Sequence, residues 1–402
     1  INNQLRRTLR GAIARLSLSS KEAERRLTAV QEIIHDLDEQ ASELLHAALA
    51  KEEDTEVREA LATGLALIEL DSPNPAIRRV AIERLSGSLN PTVRNRLTAL
   101  LNELPEQDER LRAAVRGALN AIELKLGLYR LIETLFFGLS LGSVLVLAAI
   151  GLAITFGVMG VINMAHGELI MLGAYTTYVI QLLMPNHIDL SLFIAVPAAF
   201  MVSALFGIAI ERGVIRFLYG RPLETLLATF GVSLILQQLV RTIFSPLNRS
   251  VFTPAWMSGS LEINSALSLT YNRLYIMVFG LLVFFALLVI LKKTTLGLQV
   301  RAVAQNRAMA RAMGVRTEWV DAITFGLGSG IAGVAGVALS QITNVGPNLG
   351  QAYIIDSFMV VVFGGVGNLW GTLVGGLSLG VANKFLEPYA GAVLAKILVL
   401  VF

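Results

Sequence analysis

The stretch Thr134-Leu-Phe-Phe-Gly-Leu-Ser-Leu-Gly-Ser-Val-Leu-Val-Leu-Ala-Ala-Ile-Gly-Leu-Ala-Ile-Thr-Phe-Gly-Val-Met-Gly-Val-Ile-Asn-Met-Ala-His-Gly167 runs for about 34 residues without an Asp, Glu, Lys or Arg. About 20 mainly apolar residues in a helix suffice to cross the hydrocarbon of a bilayer. Similar uncharged gaps follow at Leu190 to Ile210, Thr225 to Val240, Leu274 to Leu291, Ala322 to Ile355 and Ser357 to Asn383. One such run could be a buried core helix, but six in succession do not fit inside a water-soluble domain of this size. Crossings are expected at roughly 131–157, 165–184, 190–210, 225–245, 274–291, 320–341, 353–366, 371–386 and from 392 onward.

Working outward, the whole-chain averages conceal two materials. Of 402 residues, 54% are hydrophobic and 16% charged. About 39 of the charged residues fall in the first 130 or so positions, and about 24 in the remainder, which is twice as long. The two parts are therefore read separately, with a boundary expected between 1–128 and 129–402. The net charge of +3 is too small to imply a nucleic-acid partner, and the absence of cysteine excludes disulfides, a thiol nucleophile and thiolate metal ligands. The sequence opens on Ile1 and closes inside the apolar run Ile397 to Phe402, so a longer natural protein is expected.

The polar N-terminal part reads as consecutive short amphipathic helices. Val57-Arg58, Ile77-Arg78, Val93-Arg94 and Leu111-Arg112 each follow a helix-start residue: Asp54, Asn74, Asn90 and Asp108. Pro75 and Pro91 stand at the first helical position, where a missing N–H costs nothing. The D-x-x-V-R pattern resembles HEAT-type repeats, with an ordinary helical bundle as the plainer alternative. Residues 1 to 35 are also expected to be helical, with a start at Ser19 to Glu22. His35 and His46 are read as surface residues.

Charge bias sets the expected orientation. If the N-terminal part is extracytoplasmic, the third crossing ends at Arg212, Arg216 and Arg221. The fifth ends at Lys292, Lys293, Arg301, Arg307, Arg311 and Arg316. Both basic loops then face the cytoplasm, as positive charge does. Val300 to Gly314 is expected to form one short Ala-rich helix, stopped at Gly314, with a shape suited to docking in a groove on a cytoplasmic partner.

Polar groups inside crossings are costly and so are candidates for function. They are Asn163, His166 and Glu168 between the first two crossings, then Thr229, Gln237 and Gln238, Thr343 and Asn344, Asp356, Asn368, and Asn383 with Lys384. Each also fits a structural role, such as interhelical hydrogen bonding for the glutamines or a surface pair for Lys384 and Glu387. Gly364-Gly365-Val366-Gly367 is expected to interrupt a helix at membrane depth, making Asp356 to Gly371 a candidate pathway wall.

Three stretches carry a resemblance. Gly151 to Glu168 with Met171-Leu-Gly-Ala-Tyr175, Arg301-Ala-Val-Ala-Gln-Asn306 through Gly314, and Val360-Val-Val-Phe-Gly-Gly-Val-Gly-Asn-Leu-Trp-Gly371 together resemble the bacterial branched-chain amino acid permease family of ABC importers. Arg221 to Thr229, Gly326 to Gly333 and Asn344 to Asp356 are similar to its urea-transporting branch, whose permease carries an added extracytoplasmic helical domain. The resemblance implies an all-α polytopic bundle of about eight or nine spans, some broken, behind a soluble HEAT-like domain. It also implies a multi-pass protein of the bacterial inner membrane with its N-terminal domain periplasmic.

The implied partners are a second homologous permease, two cytoplasmic ATPase subunits and a periplasmic substrate-binding protein. Arg301, Gln305, Asn306, Arg307, Ala310, Arg311 and Gly314 would form the ATPase coupling helix. The chain itself needs no cofactor, since ATP-Mg would be used by the ATPases, and there is no G-x-x-x-x-G-K-[ST] run. Urea is neutral and dense in donors and acceptors, so its pathway would use Asn163, His166, Glu168, Thr229, Gln237, Asn344 and Asp356. A branched-chain amino acid or short amide is the alternative substrate. An ATP-independent channel or carrier would need buried ionisable residues, for which only Asp356 and Glu168 are available. A mere membrane anchor would not need so many polar and glycine residues in its spans.

Overall fold

The computed structural model describes residues 12–35, 39–105 and 108–401. The chain divides into two compact units: Ile1–Leu131 with Glu262–Ser268, and Ile132–Leu261 with Leu269–Phe402.

In the first unit a helical stretch over 12–17 precedes α1 (Ala23–His35), α2 (Glu39–Leu49), α3 (Thr55–Glu69), α4 (Pro75–Leu85) and α5 (Pro91–Glu103). The helix expected from residue 1 is described from residue 12 onward, and the side chain of His35 lies outside the described residues. His46 is exposed. Local chemistry starts these helices. The Asp54 carboxylate accepts the N–H groups of Glu56 and Val57 at 3.0 and 3.1 Å, while Asn74 and Asn90 cap Ala76 and Thr92 at 2.9 Å. At the start of α1 the Ser20 hydroxyl accepts from Glu22 at 3.3 Å. Val30, Ile34, Leu45, Leu61, Ile82, Leu97 and Val115 build the core. The V-R pattern is uneven: Val57 and Val93 are buried, whereas Ile77 is 42% exposed because α4 turns Ala81, Ile82 and Leu85 inward instead.

The second unit is a helical bundle. Its helices are α6 (Glu109–Met159), which begins in the first unit, α7 (His166–Leu183), α8 (Ile188–Gly213), α9 (Pro222–Phe244), α10 (Tyr271–Lys293), α11 (Thr295–Gln305), α12 (Arg307–Ala312), α13 (Thr317–Ser340), α14 (Leu349–Gly364) and α15 (Leu369–Val401). Among the described residues, α6, α8 with the 3₁₀ turn Ile215–Phe217, α9, α10 and α13 are long and apolar enough to cross a membrane. The other expected crossings fall on α7, on the 16-residue α14, and on the two arms of α15 either side of Gly391 (φ 76°, ψ 161°). The chain is not purely helical, since Ser260–Asn264 (β1) and Leu267–Thr270 (β2) pair as a two-stranded sheet. Between these strands the Asn264 side chain accepts from Ala266 N at 3.0 Å and makes the turn.

Span α13 is the axis of the bundle. Its apolar window is 89% buried, against 28% for α8 and α10. Small residues allow this close approach. A Cβ on Gly173 of α7 would collide with the backbone of Gly333 on α13. The outward faces of α8, α9 and α10 expose Phe193, Leu205, Leu227, Ile235, Val278 and Leu282, as suits surfaces in lipid.

Both basic loops lie at one end of the bundle. Arg212 approaches Glu318 at 3.9 Å and stacks 4.7 Å over Trp319, and Arg307 stacks 4.5 Å over Tyr219. At the other end Asp189 accepts from Ala255 N at 2.7 Å, and Arg249 bridges to Val345. The alternation read from charge is thus present in the helix order. The Gly364–Gly367 break sits at the basic end rather than at mid-depth, because Gly367 packs against Gly157 beside Lys292 and Arg301.

Candidate functional site

Helix α9 is apolar on its outward side, yet every fourth residue of its inward side is polar: Thr225, Thr229, Ser233, Gln237 and Arg241. Spacing of four keeps these side chains on one slowly drifting helix face. The first four are buried, so the face is a polar seam running the length of the span.

The seam holds non-helical backbone that would otherwise lack partners. Residues 160–165 between α6 and α7 are not helical, and the Thr229 hydroxyl accepts from Met164 N at 3.1 Å. Asn163 Oδ1 accepts from Ala165 N at 3.0 Å. One turn along, Ser233 donates to Glu168 Oε1 at 3.0 Å. Next, Gln237 donates to Pro347 O at 3.3 Å and to Asn348 Oδ1 at 3.2 Å, and Arg241 donates to the same Asn348 oxygen at 2.8 Å. His166 Nε2 lies 2.8 Å from Ala148 O. Irregular backbone persists inside a membrane where protein groups satisfy it in this way.

Three residues around the start of α7 keep unsatisfied polar atoms: Asn163 Nδ2, His166 Nδ1 and Glu168 Oε2, all buried and without a hydrogen-bond partner among the described residues. They do not share one face: Glu168 turns toward Ser233 of α9, whereas His166 turns toward Ala148 of α6.

Of the residues expected along a pathway, Asn163, Glu168, Thr229 and Gln237 lie along the seam, while His166 packs against α6 through Ala148. Asn344 does not: it is exposed, and Asn348, four residues later in the same loop, takes the contact with Gln237. Asp356 is also elsewhere, since it accepts from Lys396 Nζ at 2.6 Å, and no hydrogen bond among the described residues joins it to the seam. Lys384 and Glu387 are a local pair at 2.5 Å. Reading by sequence missed Thr225, Ser233, Arg241 and Asn348. The i, i+4 recurrence in α9 was the signal available for the first three.

The basic segment is two helices rather than one. Asn306 leaves the helical region (φ −153°, ψ 99°), and its side chain caps α12 by accepting from Met309 N at 2.9 Å. The Asn side chain competes with the helix backbone and wins, despite the Ala-rich context. Gly314 (φ 86°) ends α12, with Val315 N donating to Ala310 O at 3.0 Å. Arg307 is ion-paired and hydrogen-bonded to Asp321 at the start of α13, and Arg311 donates to Thr317 Oγ1 at 3.2 Å. Arg301 donates to Leu291 O, Ala310 is buried, and Gln305 is exposed at the end of α11. The Tyr219 phenol donates to Glu211 Oε1 at 2.9 Å. Burial, with Asp321 and Glu211 close by, pushes its pKa above the usual tyrosine range, so it remains a donor. The hairpin α11–α12 is therefore bolted to the ends of α8 and α13.

A family model described as the permease component of the branched-chain amino acid transport system matches residues 134–402. The chain belongs to this permease family. The high-affinity branched-chain amino acid transport system permease protein LivH of Salmonella typhimurium is 34% identical over 271 residues, covering 64% of this chain and 86% of the relative. The corresponding protein BraD of Pseudomonas aeruginosa is 32% identical over 268 residues, covering 64% and 87%. The ribose import permease protein RbsC of Escherichia coli is 29% identical over 266 residues, covering 64% and 78%. No solved structure matches the chain. The matched permease region contains the whole seam and the hairpin α11–α12, while α1 to α5 lie outside it.

Proposed function

We propose that this chain is a membrane-spanning subunit of an ATP-driven importer of branched-chain amino acids in the bacterial inner membrane. The family match over residues 134–402, with relatives named for branched-chain amino acid transport, carries the reading. A second permease, two cytoplasmic ATPases and a periplasmic substrate-binding protein complete the machine. The hairpin α11–α12 receives the ATPase, and Arg307 passes its displacement to α13 through Asp321. Solute passes along the seam of α9, exchanging hydrogen bonds with Asn163 and Glu168. The ATP-Mg chemistry belongs to the partner subunits. The basic end of the bundle faces the cytoplasm, which puts the first unit in the periplasm.

Urea is the second reading. Two observations favour it: α1 to α5 lie outside the region that the family model matches, and the seam is built largely of hydroxyls and amides, which suit a neutral solute. Proteoliposomes containing all the subunits decide between them. ATP-dependent leucine uptake without urea uptake supports the first reading. Urea uptake without leucine supports the second, and uptake of either solute without the ATPases overturns both.

A further inference from the structure

At the basic end of the bundle lies a cavity of about 340 Å³ between the end of α10, the start of α15 and α11. Its walls are apolar, with Ile154, Val158, Leu288, Val300 and Leu369 among them. Among the described residues, two cations, Lys292 and Arg301, are the only charged residues lining it, and no carboxylate does. Neither they nor the adjacent Lys293 have a carboxylate partner among the described residues. Trp370 also lines the cavity. Its ring meets Phe284 edge-on at 5.4 Å, and it is half exposed. Tryptophan with basic residues at the end of apolar spans marks the level of lipid headgroups. The same helices carry exposed Phe285, Val289 and Val374, so the site adjoins surface suited to acyl chains.

We infer that this cavity binds an anionic phospholipid, its phosphate held by Lys292 and Arg301 and an acyl chain lying between α10 and α15. Charge complementarity selects the occupant, since basic pockets between spans take anionic headgroups. The inference rests on the chain's being a membrane permease. It depends neither on the solute nor on which compartment the basic end meets.

Native mass spectrometry of the delipidated full chain, titrated with phosphatidylglycerol, phosphatidylcholine or inorganic phosphate, tests it. The expected result is preferential binding of phosphatidylglycerol. Affinity for that lipid should fall about 30-fold in the K292A/R301A double variant, the size set by two basic groups near an anionic surface. Ala304→Trp, which fills the cavity and keeps both charges, should weaken it as well, with an unchanged elution profile confirming the fold. Equal binding of phosphatidylcholine overturns the inference. So does undiminished phosphatidylglycerol affinity in both variants, or full competition by inorganic phosphate. Because the readout is lipid mass, failure of transport would leave it unaffected.

Discussion

Glu168 places one carboxylate oxygen on the Ser233 hydroxyl at 3.0 Å, while its other oxygen is buried without a partner among the described residues. Removing the hydroxyl would strand the first oxygen too, and a buried polar group left unsatisfied costs about 1–3 kcal/mol. Ser233→Ala should therefore lower the melting temperature of the purified chain and reduce transport, while Ser233→Thr restores both. An S233A variant with wild-type melting would show that the contact carries no such weight. In the first unit, Arg26 makes a two-pronged contact with Glu52 at 2.8 and 2.7 Å. This hydrogen bonding holds the Glu52 carboxyl below its ordinary value of 4.5. A group whose folded pKa is depressed stabilises the fold above its unfolded pKa, and that contribution is lost as pH falls through the folded value. The difference in melting temperature between wild type and Glu52→Gln should be full at pH 7, shrink below about pH 4.5 and vanish at lower pH. A difference constant from pH 7 to 3 would contradict this.

Among the elements, the hairpin α11–α12 depends most on one contact. Asp321 is fully buried, and Arg307 is its cation. Losing one partner of a buried pair costs about 3–5 kcal/mol, and the lower end applies here because Arg307 is 37% exposed. Arg307→Ala should destabilise the chain by roughly that lower amount, and adding Asp321→Asn should recover part of the loss. A double-mutant cycle in melting temperature measures the coupling, and strict additivity would show that the pair does not act as one. The element scale also separates what could be read in advance from what could not. The caps at Asp54, Asn74 and Asn90 and the stop at Gly314 were legible because each is decided by its own few residues. The break at Asn306 was not, because alanines on both sides favour helix and only the cap geometry ends it. The seam was half legible. Gln237 and Glu168 stand out in apolar sequence, whereas Ser233 passes for an ordinary small residue until α9 is packed on α7. The choice of Asn348 over Asn344 belongs to loop packing, which no local pattern specifies.

For the whole molecule, the division into a charged and an apolar part and the alternation of basic loops follow from composition, because lipid tolerates little else. The solute does not follow from the fold: relatives named for branched-chain amino acids and for ribose each match 64% of this chain, at 34% and 29% identity. The proposed function rests on the basic hairpin of this permease facing the cytoplasm, where an ATPase would dock. The chain contains no cysteine, so a single Met309→Cys on α12, where the native side chain is 60% exposed, gives a label site without background. With a membrane-impermeant maleimide, the account predicts labelling in inverted vesicles, none in intact cells, and protection when the ATPase subunits are bound. Labelling of Met309→Cys from the outside of intact cells would contradict it.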